Sequence, residues 1–126
     1  MSKKIIHTTA APGAIGPYSQ AIQTGNLLFV SGQIPINPVT NEIITSNIHD
    51  ETKQVMENLK AVLSAANVGF ENIVKTTIFL SDMDLFAAVN EVYGSYFTGD
   101  YPARETVAVK GLPKGVNVEI SVIAFV

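Results

Sequence analysis

The chain contains no cysteine and a single arginine, and both shortages restrict its chemistry. Without cysteine there is no disulfide, no thiolate nucleophile and no zinc–thiolate site. Seven lysines are spread along a chain of net charge −3, so no basic cluster for phosphate backbones is present. Charged residues make up only 15% against 47% hydrophobic residues, which argues against disorder and suggests that other copies of the chain cover some apolar surface.

The sequence also lacks the features of a targeted, repeated or multidomain protein. The first ten residues have two lysines but no apolar signal core, and no run approaches membrane-spanning length. We find no internal repeat, low-complexity segment or linker, and 126 residues suit one domain. These observations predict a single cytoplasmic domain spanning residues 1–126.

Hydrophobic patterns predict six strands and two helices. The strands are expected at 3–7, 19–24, 27–31, 73–80, 106–109 and 116–126, with a two-residue turn at Gly25-Asn26. Apolar residues at three-and-four spacing predict a helix from about 48 to 66, capped by Asn47 or Asp50, and a second from about 82 to 97. This order predicts an α/β (α+β) fold, with one mixed sheet and both helices on one face.

Arg104 is the first candidate for a functional role. Its guanidinium is always charged and offers a planar fork that pairs with a carboxylate bidentately, which lysine cannot do. Since the chain uses lysine everywhere else, its one arginine indicates a geometric need. The alternative is a surface or salt-bridge arginine.

Glu119 is the second candidate, because it is the one carboxylate in the apolar run 116–126. Segments 106–109 and 116–126 flank a turn-rich loop and are expected to form a hairpin. If Glu119 lies opposite Thr106 in that hairpin, Arg104 and Glu119 share a face, roughly 7 Å apart. A slip of one residue would separate them, and a solvated edge carboxylate is the other interpretation.

Three further positions are candidates with open alternatives. Gly32, after Ser31 at a strand end, permits a close approach to the backbone or marks a bulge. Asn90 belongs to the stripe that the second helix is expected to bury, which comprises Phe86, Val89, Asn90, Tyr93 and Phe97. A buried amide at this position is either structural or part of a binding site. Tyr18, on a constrained loop, suits packing and ligand contact equally. His7 and His49 have no partner at metal-ligand spacing, so no metal site is expected.

Short motifs along almost the whole chain resemble the RidA (YjgF-type) family of imine/enamine deaminases. They are AIGPYSQ (14–20), SGQIP (31–35), NLKAVL (58–63), VKTT (74–77), VNEVY (89–93), YPAR (101–104) and VEI (118–120). The Pro-Ala-Arg element with the spaced Val-Glu-Ile is the most specific of these. The resemblance implies a chorismate-mutase-like fold and a homotrimer with sites between subunits.

The same resemblance implies hydrolysis of 2-imino acids, such as 2-iminobutanoate and 2-iminopropanoate, to 2-oxo acids and ammonia without a cofactor. Arg104 would then bind the substrate carboxylate and Glu119 would orient or activate water. Tyr18, Ser31, Gly32, Asn90 and Thr106 would line the pocket. A ribonuclease or translation inhibitor, an activity also attributed to this family, and a non-catalytic trimer that binds small 2-oxo acids are the alternatives.

Two residues depart from the family pattern, which usually has a small residue and then often a cysteine after the arginine. This chain has Glu105 and Thr106 there. Loss of the thiol is not expected to prevent hydrolysis. Strand alternation should point Glu105 away from the pocket, whereas a carboxylate that bent back would compete for Arg104.

Overall fold

A computed structural model describes residues 2–126, which form one six-stranded mixed sheet and two α-helices. The strands are β1 (Lys3–Ile6), β2 (Ala21–Thr24), β3 (Leu27–Gln33), β4 (Ile73–Leu80), β5 (Ala103–Ala108) and β6 (Val118–Phe125). Their order in the sheet is β1-β2-β3-β6-β4-β5, and only β4 and β5 run parallel. The predicted mixed sheet and the turn between β2 and β3 are confirmed.

Helix α1 (Ile48–Ala65) covers the middle of the sheet. It starts where predicted, because the Asn47 side chain accepts a hydrogen bond from the Asp50 N–H at 2.8 Å. Its apolar stripe is fully buried and comprises Val55, Met56, Leu59, Val62 and Leu63. This stripe packs on the inward-facing side chains of β3, β4 and β6 to form the core.

The two faces of the sheet differ sharply in burial. On β6 the side chains of Val118, Ile120, Val122 and Ala124 point into the core, as alternation predicts. The other face has no helix, and large apolar side chains remain 38–46% exposed there: Leu27, Phe29, Val107 and Phe125. An apolar face of this kind is typical of a surface that another chain covers.

The predicted hairpin between the last two strands is wrong. β6 lies between β3 and β4, and β5 pairs in parallel with the far edge of β4. The segment 109–117 therefore crosses the end of β4 instead of making a tight reversal. A hairpin loop usually has two to five residues, and this connection is longer.

Helix α2 (Phe86–Gly94) is shorter than predicted. A 3-10 turn at Met83–Leu85 precedes it, in which the Asp82 side chain accepts a hydrogen bond from the Asp84 N–H at 2.8 Å. Within residues 2–126, no helix is long and apolar enough to cross a membrane. In the same range, no group of three or more histidine or acidic residues is arranged to hold a metal ion.

Candidate active site

The candidate residues lie in two clefts. The first, of about 520 Å³, opens between the edge strand β5 and helix α2 and contains Arg104. The second, of about 530 Å³, lies at the end of β3 and contains Glu119. In one chain the two charged groups therefore face different spaces.

Arg104 is held by side chains of α2. Its guanidinium carbon lies 5.5 Å from the centre of the Phe86 ring and 5.4 Å from that of Tyr93. Its Nη1 donates a hydrogen bond to Asn90 Oδ1. Phe86, Asn90 and Tyr93 are spaced by four and three residues, so all three share one face of the helix. The prediction that Asn90 is buried is wrong: it is exposed, and its amide oxygen orients the arginine.

The aromatic support of Arg104 is itself fixed. The Tyr93 hydroxyl donates to Thr76 Oγ1 at 2.9 Å, and both residues are buried. Burial is the main reason that the pKa of Tyr93 is raised, so this phenol stays neutral beside the guanidinium. Within residues 2–126, no carboxylate lies within 4.0 Å of Arg104. The cation is oriented but not neutralised, which suits an anionic ligand.

The second cleft combines one half-buried carboxylate with mostly apolar walls. Tyr18, Ser31 and Gly32, all predicted as pocket residues, lie here together with Glu119. Its other lining residues are Pro12, Gly13, Ile15, Gln20, Gln33, Ile34, Ile36, Pro113 and Lys114.

Glu119 owes its environment to the backbone of β3. The pairing of β3 with β6 shifts register between Val30 and Gln33, so a bulge lies at Ser31-Gly32. A Cβ on Gly32 would overlap Glu119 Oε2 and lie 2.8 Å from its Cδ. Both interpretations of this glycine are therefore confirmed, since it marks a bulge and permits a close approach. Burial in this position raises the pKa of the Glu119 carboxyl.

Buried amides hold the walls of this cleft. Gln20 Nε2 donates to the carbonyls of Thr8 at 3.0 Å and Pro12 at 2.8 Å, which fixes the loop leading to Tyr18. Asn58 Nδ2 donates to the carbonyls of Ile34 at 3.1 Å and Ile36 at 2.9 Å. Both amide side chains are buried, so their donors are satisfied by these loop carbonyls and the loops are tied to the core.

A second network fixes the start of β6. Glu51, on the first turn of α1 and 1% exposed, accepts hydrogen bonds from the backbone N–H of Asn117 at 2.6 Å and from its Nδ2 at 2.9 Å. The Ser81 hydroxyl in turn donates to Asn117 Oδ1 at 2.8 Å. Two residues later in β6, Glu119 is thereby fixed in position relative to the ends of α1 and β4.

Arg104 and Glu119 lie on opposite faces of the sheet, so of the two alternatives left open by the sequence the separated one is observed, with β4 between the two strands. Arg104 is the partner of Thr76, whose buried side chain contacts α2. Glu119 is the partner of Phe79 and alternates with the core residues Val118 and Ile120. With β4 between them, their strands are also about 10 Å apart.

Glu105 and Thr106, the two residues that follow Arg104, lie outside both clefts. Glu105 points away from the arginine and its Oε1 lies 3.3 Å from Lys75 Nζ, so the prediction from strand alternation is confirmed. Thr106 lines neither of the two clefts. Its hydroxyl is buried and finds no hydrogen-bond partner within the described chain.

Sequence reasoning missed the aromatic cradle of Arg104 and the contribution of the 113–114 turn to the Glu119 cleft. Phe86 and Tyr93 were expected only as core residues of the second helix. Their spacing around Asn90 was the available signal, because it puts two rings and an amide on one helical face. Nothing in the pattern around Pro113 and Lys114 indicated which strand end they would lie beside.

Comparison with known proteins places these residues in context. The family model described as Endoribonuclease L-PSP matches residues 8–126. The chain is 54% identical to Protein DfrA of Myxococcus xanthus over 98% of this chain and 96% of that protein. It is 46% identical to the mouse 2-iminobutanoate/2-iminopropanoate deaminase, over 97% of this chain and 90% of that protein.

A solved structure agrees closely with the fold. The crystal structure of E. coli TdcF with bound serine superposes with a TM-score of 0.94 at 44% identity, covering 98% of both chains. All candidate residues lie within residues 8–126, the range that the family model matches.

Proposed function

This chain belongs to the Endoribonuclease L-PSP (YjgF/RidA) family, and from that premise we propose that it is a cytoplasmic deaminase of 2-imino acids. It would hydrolyse substrates such as 2-iminobutanoate and 2-iminopropanoate to 2-oxo acids and ammonia. One observation carries the proposal: Arg104 is fixed by two rings and an amide and is left without an acidic partner in the described chain. A guanidinium presented in this way matches the carboxylate common to these substrates.

The reaction needs water to add to the imine carbon and ammonia to leave. Starting from the protonated imine, Glu119 accepts one proton from the attacking water as the C–O bond forms, which gives a neutral carbinolamine. It returns that proton to the nitrogen and then takes the hydroxyl proton as the C–N bond breaks, so the carbonyl forms and ammonia leaves. That last proton passes from Glu119 to ammonia, which departs as ammonium. A carboxyl whose pKa is raised by burial suits this role, because its ionised form is a stronger base than an exposed glutamate. Arg104 holds the substrate still, so the catalysis is chiefly positioning.

One substrate can contact both residues only if two copies of the chain supply them. Arg104 and Glu119 occupy opposite faces of a single sheet, with clefts that share no lining residue. In a cyclic homotrimer each Arg104 cleft would meet the Glu119 cleft of a neighbour, giving three identical sites. The uncovered apolar face with Phe29, Val107 and Phe125 supports such an assembly.

The direct test is to generate 2-iminobutanoate with a threonine dehydratase and follow its decay with and without the protein. Acceleration in proportion to protein concentration is expected. An unchanged decay rate together with calorimetric binding of 2-oxobutanoate would replace the deaminase by a non-catalytic binding trimer.

RNA cleavage is the second candidate, because the matched family carries an endoribonuclease description. The net charge of −3 and the single arginine weigh against it, because non-specific RNA binding needs clustered basic side chains that neutralise the phosphates. Cleavage that disappears in purified Arg104→Ala protein would favour this candidate, whereas cleavage that persists would identify a contaminant.

The pH profile should report the raised pKa of Glu119. A general base must be ionised, so kcat/KM is expected to rise with pH through the pKa of this carboxyl. Because burial raises that pKa from its ordinary value of 4.5, the acid limb should lie above pH 4.5. Initial rates corrected for uncatalysed hydrolysis measure the limb. A flat profile across the acid range, or a limb that persists in Glu119→Gln, would contradict the assignment.

Gly32→Ala should damage activity through Glu119. The added methyl overlaps the carboxylate, which must swing away from its position at the bulge. We expect kcat to fall at least tenfold, with a loss of about 1–3 kcal/mol in the free energy of unfolding from overpacking. The matched control is Gly111→Ala, where a new Cβ meets nothing within 4 Å and activity should be retained. Steady-state kinetics and thermal unfolding of both variants measure these effects. Normal turnover in Gly32→Ala would refute the close contact between Gly32 and Glu119.

A further inference from the structure

Lys114 borders the Glu119 cleft and has no role in the reaction described above. It lies in the 3-10 turn Pro113–Gly115, which connects β5 to β6. Among the residues that line this cleft, Lys114 is the one cation, and Glu119 is the one acid. The cleft therefore combines a half-buried carboxyl with an exposed ammonium.

The backbone at Lys114 adopts a conformation that lysine rarely occupies. Its φ is 55° and its ψ is 20°, which is the left-handed region. The other non-glycine residues with positive φ in the described chain are Asn41, Asn67 and Asp100, whose short side chains tolerate this region. A lysine there is strained relative to glycine, because its Cβ is crowded by the backbone in this region. The strain suggests that the side chain itself is needed at this position.

The Lys114 ammonium forms no salt bridge within the described chain. Among residues 2–126, no carboxylate lies within 4.0 Å of its Nζ. Glu119 lines the same cleft but lies beyond this salt-bridge distance from the ammonium. The two charges share a cleft without pairing, which leaves the cation free for a ligand.

The size of the cleft also exceeds the need of a small substrate. At about 530 Å³ it has room well beyond a four-carbon imino acid whose carboxylate is held by Arg104 of another copy. A substrate whose imine carbon lies at Glu119 would place its side chain among the other lining residues of this cleft. Lys114 supplies the one cation among them.

We propose that Lys114 forms a second anion-binding position, which takes the side-chain carboxylate of imino acids derived from acidic amino acids. The substrate class of this site then includes dicarboxylic 2-imino acids, with 2-iminoglutarate as the representative. Hydrolysis is the same reaction, in which water replaces the imine nitrogen and ammonia leaves, with no oxidant or reductant. This inference rests on the proposed deaminase function, since it extends the substrate range of the same site.

The test compares two imines and two lysine variants. Amino acid oxidases, with catalase present, generate 2-iminoglutarate from glutamate and 2-iminobutanoate from 2-aminobutanoate. The ratio of kcat/KM for the dicarboxylic imine to that for the monocarboxylic imine is measured in wild type, Lys114→Gln and Lys110→Gln. Lys110 is an exposed lysine of the same connection that does not line the cleft.

We expect the ratio to fall about fivefold in Lys114→Gln, as for a solvent-exposed ion pair, and to stay at the wild-type value in Lys110→Gln. The loss should lie in KM rather than kcat, because the contact is the same in ground and transition states. It should shrink in 1 M salt, which screens the pair. Lys114→Gly should lose the same preference while unfolding at a higher temperature, because it relieves the backbone.

The outcomes separate this inference from the proposed function. Suppose that wild type hydrolyses both imines. If Lys114→Gln then leaves the ratio of kcat/KM unchanged, or lowers the rates for the dicarboxylic and the monocarboxylic imine by the same factor, the second anion position is wrong. The deaminase function stands in that case. If wild type accelerates neither imine, the deaminase fails. Calorimetry with 2-oxoglutarate and 2-oxobutanoate then decides: a selective loss of 2-oxoglutarate binding in Lys114→Gln supports the position, and equal binding overturns it.

Discussion

Arg104→Lys is expected to lower kcat/KM for 2-iminobutanoate by about 100-fold, equivalent to ~3 kcal/mol, while the fold survives. Lysine keeps the charge but loses the planar fork, the contacts of the guanidinium with the Phe86 and Tyr93 rings, and the hydrogen bond to Asn90. The ammonium would be mobile, and the substrate carboxylate would no longer be held at a fixed angle to the attacking water. Steady-state kinetics with a circular dichroism spectrum of the variant measure both parts of this prediction.

Asn90→Ala provides the graded comparison for that result. It keeps the guanidinium and both rings but removes the hydrogen bond that orients Nη1. We expect a smaller loss than in Arg104→Lys, in the range of a few-fold to tenfold, because one charge-assisted hydrogen bond is lost. Wild-type kinetics in Arg104→Lys would refute the carboxylate clamp, whatever the result for Asn90.

Glu119→Gln is the second change with a large expected effect, a fall in kcat of about 10²- to 10⁴-fold. The amide has the same shape, so it fits against Gly32 without displacing the bulge. It cannot accept a proton from water, so the chemical step suffers more than binding, and KM should change little. Single-turnover measurements would locate the loss in the chemical step.

Glu105→Gln is the matched control for this substitution. Glu105 lies next to Arg104 in sequence but points to the opposite face, where it pairs with Lys75 at the surface. An exposed ion pair contributes at most about 1 kcal/mol, so the catalytic rate should remain close to that of wild type. Normal turnover in Glu119→Gln would contradict the role of Glu119 in proton transfer. A large loss of activity in Glu105→Gln would show that Glu105, and not only Glu119, takes part in the reaction.

Local patterns predicted most of the fold because they depend on short-range physics. The buried stripe of α1 and its Asn47 cap follow from periodicity and capping chemistry within a few residues. The turn at Gly25-Asn26 and the alternation of β6 are equally local. The position of Glu119 between two core residues could therefore be anticipated from sequence.

Strand order could not be predicted in the same way. Two apolar runs on either side of a loop with Gly111, Pro113 and Gly115 resemble a hairpin, but the sheet inserts β4 between them. Parallel pairing of β4 with β5 is a long-range contact that leaves no mark in the local pattern. The placement of Arg104 and Glu119 on opposite faces follows from this topology alone.

Asn90 shows a similar limit within one helix. Spacing correctly grouped it with Phe86 and Tyr93, yet only Tyr93 lies in the core, whereas Asn90 is exposed at the sheet edge beside β5. Periodicity identifies residues that share a face but not what that face contacts. The contact with Arg104 became visible only with the parallel pairing of β4 and β5 in place.

A complementation experiment tests the central claim, that each site combines Arg104 of one chain with Glu119 of another. Arg104→Lys and Glu119→Gln chains are co-expressed with different affinity tags, and assemblies carrying both tags are purified. In a cyclic trimer that contains both variants, one of the three sites receives an intact Arg104 and an intact Glu119, so about one third of wild-type activity should return. Activity no higher than that of either variant alone would contradict the claim that one site combines residues of two chains.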